Sequence, residues 1–496
     1  MEPGAGGNGQ GYGLLIFSIA IATFMAGLDG TIVNIALPAI SEAFSVSSAT
    51  VSWVATAYLL VMAGCVLVFG KVADMVGFRK IFLAGFAIFT LGSFACGLLP
   101  DLFGSLDWLI ASRIFQAVGG AMMTAIAPAM ITAYIPLDQR GKAMGIVMTL
   151  AALGTALGPS IGGFLTQYFS WHAIFFINVP VGIGAVLLGA KVVPEAVRRE
   201  NLAGFDRAGS VLVFVGLASL LFVVSEGDSY GWTSPAILAL ALLAVATLAL
   251  FARTELASAE PLLDLRLFRN RNFLFSNLLL SLVFFSFAGI NYLLPFYLKY
   301  VRQYDTSSAG LVMTALSFAM MGAGILAGFL FNRTGPRPLC IAAAISLTAG
   351  YFLMTRLRPD TSAGFIVLAL ALIGFGLGLL VTPLSNLILN SVARAQQGMI
   401  SSLTTLERFA PLTLGIAFFN LVFVQGVIAI AANHNVTRAS PAALQVPVLS
   451  AGFDLAFFVS FVLGLAILVL AFVIRQEIHP DYAGEPAGTD PGMGML

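Results

Sequence analysis

Fourteen apolar stretches, each close to the length that carries a helix across hydrocarbon, leave this chain few ways to fold. They lie near 14–39, 51–69, 81–99, 107–135, 142–168, 173–193, 208–224, 234–252, 273–298, 306–331, 338–355, 363–390, 398–430 and 452–474. Only 9% of the 496 residues are charged and 59% are hydrophobic, with a mean hydropathy of +0.98. Soluble domains carry about 25% charged residues, so the main solvent here is lipid. Because hydrocarbon offers no hydrogen bonds to a bare backbone, the expected fold class is an all-α membrane protein of fourteen transmembrane helices.

The distribution of basic residues fits that count. With an even number of spans both ends of the chain share one side. Seventeen of the 24 Lys and Arg fall in loops on that side, five fall in the opposite loops, and Arg113 and Arg408 lie inside spans. The positive-inside rule then predicts cytoplasmic termini and a multi-pass protein of the cell membrane.

A second pattern divides the chain. The turn GKVADMVGFRK (Gly70 to Lys80) returns as GFLFNRTGPR (Gly328 to Arg337), with Gly70, Gly77 and Arg79 each matched 258 residues later. Arg140-Gly141-Lys142 after the fourth span has a weaker echo in Gln397-Gly398-Met399. Two related halves of six spans are the architecture of transporters that rock one half against the other. The expected organisation is a glycine-rich tail at 1–13, a first half at 14–193, two inserted helices with linkers at 194–272, a second half at 273–475 and a polar tail at 476–496. The first tail holds no Lys or Arg, unlike the basic start of a cleaved signal peptide. Within the insertion, Glu260 to Phe273 mixes leucines with arginines and reads as an interfacial segment against membrane lipids.

Several function classes are set aside at this level. A net charge of +1 with scattered basic residues gives no case for nucleic acid. Three separated cysteines and three distant histidines show no disulfide framework or metal spacing, so no metal and no cofactor are expected. No GxxxxGK[ST] loop is present, which excludes an ATP-driven pump in this chain, and no nucleophile–base set suggests an enzyme.

Polar residues inside spans are the candidate sites. Asp29 lies well inside span one, where a carboxylate is costly and is a functional candidate by default. The alternative is an interfacial Asp capping a turn beside Gly27 and Gly30. Arg113 in span four is expected to sense the charge of Asp29, directly or through water, with Gln116 one turn away on the same face. An adjacent guanidinium favours the ionised carboxylate and its withdrawal favours the protonated one, which couples proton binding to movement. A snorkelling Arg113 is the other reading. Glu407 in span thirteen is the second candidate for a proton or cation, against a structural ion pair. Asn34, Asn291, Tyr292, Asn386 and Asn390, with Gln116, are candidates to line a substrate cavity or to bond between helices. Gly154, Gly158 and Gly162 recur every four residues beside Pro159 and Gly163, a face that lets helices approach closely.

Four strings in order, LDGTIVNIALP (Leu28 to Pro38), GKVADMVGFRK, RIFQAVGGA (Arg113 to Ala121) and GTALGPSIGG (Gly154 to Gly163), make the chain resemble the major facilitator superfamily. Within it, the resemblance is to the fourteen-spanner drug:proton antiporters. WHAIFFINVP (Trp171 to Pro180) and FDRAG (Phe205 to Gly209) add weaker similarity, and the match covers essentially the whole chain. The resemblance implies two pseudo-symmetric six-helix halves and alternating access. It further implies proton-coupled export of lipophilic or cationic drug-like compounds, with Asp29 as the proton-linked carboxylate. It makes Gly70, Asp74, Gly77, Arg79 and Arg140 a conformational latch, and Gly154, Gly158, Pro159, Gly162 and Gly163 the antiporter motif. Asn332 stands where the second turn would carry its acid, which weakens any latch there. The other reading on the same fold is a facilitator or exporter of one metabolite, lipid or nutrient. The partners expected are a small lipophilic substrate, protons and lipids, with a monomer favoured.

Overall fold

The computed structural model describes residues 9–135, 137–195, 207–257, 263–392, 397–434 and 442–475. The described residues are helical with short connections: α1 (Gly9–Phe44), α2 (Ser48–Val76), α3 (Phe78–Phe103), α4 (Leu106–Tyr134), α5 (Leu137–Tyr168), α6 (Ala173–Phe176) and α7 (Asn178–Val192). Then follow α8 (Arg207–Tyr230), α9 (Pro235–Ala257), α10 (Arg271–Phe296), α11 (Thr306–Thr334), α12 (Pro336–Met354), α13 (Ala363–Asn390), α14 (Gln397–His434) and α15 (Ala442–Val473). Thirteen helical spans, with α6 and α7 forming one of them, are long and apolar enough to cross a membrane. The shorter apolar stretch Ala208–Val224 inside α8 supplies a fourteenth. Two departures from the expected boundaries have simple causes. Span one runs on to Phe44, because Pro38 is tolerated inside the helix. The segment from Gly70 to Val76 is helix and not turn, and only Gly77 breaks it.

Helix starts are fixed by side chains that satisfy orphan N–H groups. Ser47 accepts from Thr50 N at 3.1 Å, and Asp305 accepts from Ser308 N at 2.8 Å. Asn270 accepts from Asn272 N and Phe273 N. The interfacial segment carries a 3-10 turn, Leu265–Arg269, begun by Asp264.

The repeat is visible as geometry. Gly77 and Gly335 both take a positive φ, 102° and 74°, between successive helices. Each donates its N–H to a carbonyl four residues back, Ala73 and Phe331, at 2.9 Å. Arg79 reaches the carbonyl of Ala190 near the end of α7 at 2.7 Å. Arg337 reaches the carbonyl of Phe472 near the end of α15 at 3.0 Å. Each arginine thus caps the negative end of the last helix of its set. Helix pairings agree: α1 packs on α5 as α10 on α14, α2 on α4 as α11 on α13, α3 on α4 as α12 on α13, and α3 on α7 as α12 on α15.

Small residues bring α1 and α5 into backbone contact. A Cβ on Gly162 would stand 2.7 Å from Ile32 O, and one on Gly27 would stand 2.5 Å from Ala151 O. Gly158 abuts Thr31, whose hydroxyl donates to Thr155 O at 3.2 Å. Gly154 abuts Phe24 O and Leu28 N. The two sets of six helices meet through α1, α2 and α5 against α10, α11 and α14. Their polar contacts gather at the end of the bundle opposite the termini. There Lys299 pairs with Glu42 at 2.9 Å, and Thr306 N donates to Gln167 at 3.3 Å. Tyr292 donates to Ser48 O at 2.5 Å, and Ser160 meets Thr314. Gly163 lies against Thr306 O and the Cα of Gly310. This end of the bundle is closed.

The inserted pair does not lie between the two sets of six. It packs outside them, with α8 against α2, α14 and α9. Having no counterpart in the repeat, it is excluded from the pairing that builds each set.

Gly158→Val places two methyl groups where Thr31 now stands and is expected to cost about 1–3 kcal/mol by overpacking. Gly184→Val enters open space and is expected to leave stability unchanged. Thermal unfolding midpoints of the two purified variants test this, and equal midpoints would contradict the close α1–α5 packing.

Candidate functional site

The first six spans enclose a polar centre in an otherwise apolar bundle. Asp29 on α1 is 0% exposed and Arg113 on α4 is 1% exposed. Their ion pair is direct, Nη1 to Oδ2 at 2.7 Å. An unpaired charge at this depth would cost several kcal/mol, so each must be surrounded by partners. They are. Gln116 Nε2 donates to Asp29 Oδ1 at 3.0 Å and to Ser93 Oγ at 2.7 Å. Asn178 at the start of α7 donates to the same Oδ1 at 3.3 Å. Arg113 Nη1 also donates to Gln116 Oε1 at 2.6 Å, and its Nε donates to Val54 O at 3.1 Å. The guanidinium lies on the Tyr58 ring at 3.9 Å, with Phe175 at 5.7 Å on another side. Arg113 therefore does not snorkel to the surface, and Asp29 does not cap an interfacial turn.

Sequence spacing placed Arg113 and Gln116 on one face of α4 and put Asp29 within their reach. It missed Tyr58, Ser93, Asn178 and the Val54 carbonyl. Asn178 carried a usable signal, an amide inside the apolar run of span six. A backbone acceptor such as Val54 O leaves no trace in composition.

The second set of helices has no equivalent centre at the matching place. Gly92 packs against Gln116, and its counterpart Gly350 packs against Ile373. Three residues earlier, Leu370 stands where Arg113 stands in the first set, and both Leu370 and Ile373 are fully buried. Among the described residues, an ion pair occupies this matching place in the first half and not in the second.

Next to the ion pair a narrow cavity opens between the halves. Arg113, Tyr58 and Asn34 line it from the first half, and Asn291, Leu412 and Ile416 from the second. Gln116 is withdrawn behind Arg113 and does not line it. Tyr292, 0% exposed, sits at the closed end, where its hydroxyl also faces Asn420 Oδ1 at 3.4 Å. Asn386 and Asn390 are half-buried on α13 away from this cavity. Glu407 is buried on α14, and its Oε2 has no hydrogen-bond partner among the described residues. Its neighbour Arg408 turns to Ser385 Oγ at 3.3 Å, so the two do not pair with each other.

Of the residues that the resemblance makes a latch, Gly77 and Arg79 make the turn and cap described above, and Gly70 faces open space. The side chains of Asp74 and Arg140 lie outside the described residues. Gly154, Gly158 and Gly162 face α1 on both sides of Asp29, whereas Pro159 and Gly163 face Gly310 of α11. His172 pairs with the exposed Asp101 at 3.0 Å, far from the cavity. Among the described residues no group of His, Cys, Asp and Glu is placed to hold a metal ion. The arrangement can hold one negative and one positive charge in a buried site and present the positive one to a cavity shared by both halves.

The family model described as Major Facilitator Superfamily matches residues 19–416. The chain is 34% identical to the riboflavin transporter RibZ of Clostridioides difficile, across 84% of this chain and 89% of that protein. It is 32% identical to the multidrug resistance protein Stp of Mycobacterium tuberculosis, across 88% and 80%. A third relative, the multidrug transporter protein MdtP of Bacillus subtilis, is 32% identical across 82% and 75%. The fold is that of the solved structure of a bacterial homologue of the lysosomal transporter Spinster in an inward-facing, occupied conformation. The TM-score is 0.67 at 16% identity, over 94% of this chain and 97% of that one.

Arg113→Met leaves a buried carboxylate without its counter-charge and is expected to destabilise the protein by about 3–5 kcal/mol. Adding Asp29→Leu removes the orphan and is expected to restore most of that loss. A double-mutant cycle on thermal unfolding measures the coupling, and additive effects would mean that the pair carries no interaction energy.

Proposed function

Because the chain belongs to the Major Facilitator Superfamily, we propose that it is a proton-coupled exporter of lipophilic or cationic drug-like compounds that works by alternating access. The observation that carries this reading is the Asp29–Arg113 pair, fully buried yet bordering a cavity to which both halves contribute. Relatives named for multidrug resistance or multidrug transport support the substrate class. The charge bias of the loops supports cytoplasmic termini in the cell membrane.

In the proposed cycle the conformation closed opposite the termini faces the cytoplasm and holds Asp29 ionised against Arg113. Substrate enters from the cytoplasm or the inner leaflet and settles beside Asn34 and Asn291. After the halves rock, a proton from outside reaches the Asp29 carboxylate and releases Arg113 from its partner. Gln116 and Asn178 then remain as hydrogen-bonding company for the neutral acid. The return to the cytoplasmic side expels the proton as Arg113 closes on the carboxylate again. Each net charge moved across the membrane draws about 2.3 kcal/mol per 100 mV. Glu407, a carboxylate with an unpartnered oxygen, is assigned to recognition of cationic substrate or to a second proton. Gly77 and Arg79 hold the latch turn, and the glycine face of α5 holds α1 in register around Asp29.

A second reading has its own support in the 34% identity to a protein named as a riboflavin transporter. On that reading the same machinery serves one planar metabolite.

Vesicles containing the protein, loaded with lipophilic cationic dye or with riboflavin and given a proton gradient, separate the two. The expected result is gradient-driven dye movement that falls to background in Asp29→Asn and drops several-fold for cationic dyes in Glu407→Gln. Movement of riboflavin without dye would replace the first reading by the second. Movement of neither would remove both substrate assignments.

A further inference from the structure

The two inserted helices occupy a defined place. A bundle of two six-helix sets has two lateral seams where it could part toward lipid, here α2 beside α14 and α5 beside α11. Helix α8 packs against both α2 and α14, so it lies over the first of these seams, with α9 outside it. Two features key α8 to α2. The Phe214 ring fills a notch made by Gly64, with its Cε2 3.0 Å from where a Cβ would stand. About three turns of α2 away, Trp53 Nε1 donates to Glu226 at 2.8 Å, and the Trp53 ring packs on Phe222 at 5.9 Å. A carboxylate accepting an indole N–H in a poorly solvated place is a strong, directional contact. The α8–α9 hairpin is itself tight, since Gly216 admits Leu248 and Gly227 admits Trp232. Most of α9 outside its α8-facing positions Ile237, Ala244 and Phe251 is exposed to the surroundings.

We propose that α8 is a fixed outboard wall of the first half, moving with α2 through the cycle while α14 slides along it, so that lipid is kept from the α2–α14 seam. The inference rests on the alternating-access reading above. It gives the insertion a function that neither half of the repeat supplies. A lipophilic molecule leaving the bilayer for the central cavity is then confined to the α5–α11 side. There the packing is backbone against backbone, through Gly163 and Gly310, and no inserted helix covers it among the described residues.

Spin-label distances in the full chain test this without relying on any substrate. The exposed positions Thr50 on α2, Tyr230 on α8 and Ala429 on α14 all lie toward the end opposite the termini. Each is replaced by cysteine in pairs, in a background carrying Cys65→Ala, with Cys96 and Cys340 buried. Distances are read in lipid nanodiscs at acidic and alkaline pH. The expected result is an unchanged 50–230 distance, with 230–429 and 50–429 both lengthening by several ångströms in one condition. If 50–230 lengthens while 230–429 stays fixed, α8 travels with the second half and the proposal is overturned alone. If all three stay fixed under every condition, the proposal falls together with alternating access. Failure of dye export with the expected distances would remove the substrate assignment and leave the wall in place.

Discussion

A buried charge pair is the constraint around which the first half is organised. Asp29 and Arg113 are tolerable at that depth only because each oxygen and most N–H groups find protein partners. Those partners come from α2, α3, α4 and α7, so the polar centre requires these four helices to converge with α1 on one hydrogen-bonded network. Convergence in turn needs thin helix surfaces. The glycines of α5 supply one against α1, and Gly92 supplies another against Gln116. The electrostatics and the small-residue packing are therefore one design, since removing either leaves the other without purpose.

The two halves share a backbone plan and divide the chemistry. Arg79 and Arg337 cap their helices alike, and Gly77 and Gly335 turn alike. At the Arg113 and Gln116 positions the second half has Leu370 and Ile373, which bury without any electrostatic cost. Its own carboxylate, Glu407, sits on α14, the counterpart of α5 and not of α1. A repeat that duplicates the packing but not the charge gives the assembly one buried ion pair in the first half and a second buried acid elsewhere.

Much of this was legible in the sequence, and the limits have physical reasons. Apolar run length fixed the crossings because hydrocarbon thickness sets helix length. The recurring turn exposed the repeat because a positive-φ glycine beside an arginine is hard to replace. Asp29 and Arg113 stood out because charge in a span is costly. Tyr58 and Ser93 did not, because a phenol or hydroxyl in a span satisfies itself in many ways. Asn34 and Asn386 look alike in sequence, yet one lines the cavity and the other does not, since helix rotation is set by tertiary packing. The place of α8 was illegible for the reason that it has no twin. Its partners, Gly64 and Trp53, lie in a run that reads as ordinary membrane helix.

The closure between Gly163 and Gly310 has a kinetic meaning. Where two surfaces mate through side chains, every separation frees rotamers that must be frozen again on return. At Gly163 and Gly310 the mating parts are peptide units already held rigid by their own helices, with Ser160 on Thr314 and Gln167 as the side-chain contacts beside them. Such a contact loses little order when it opens and needs no search when it closes. On the alternating-access reading proposed above, a seam built this way would act as a bearing, able to part and reseat many times at nearly the same free energy.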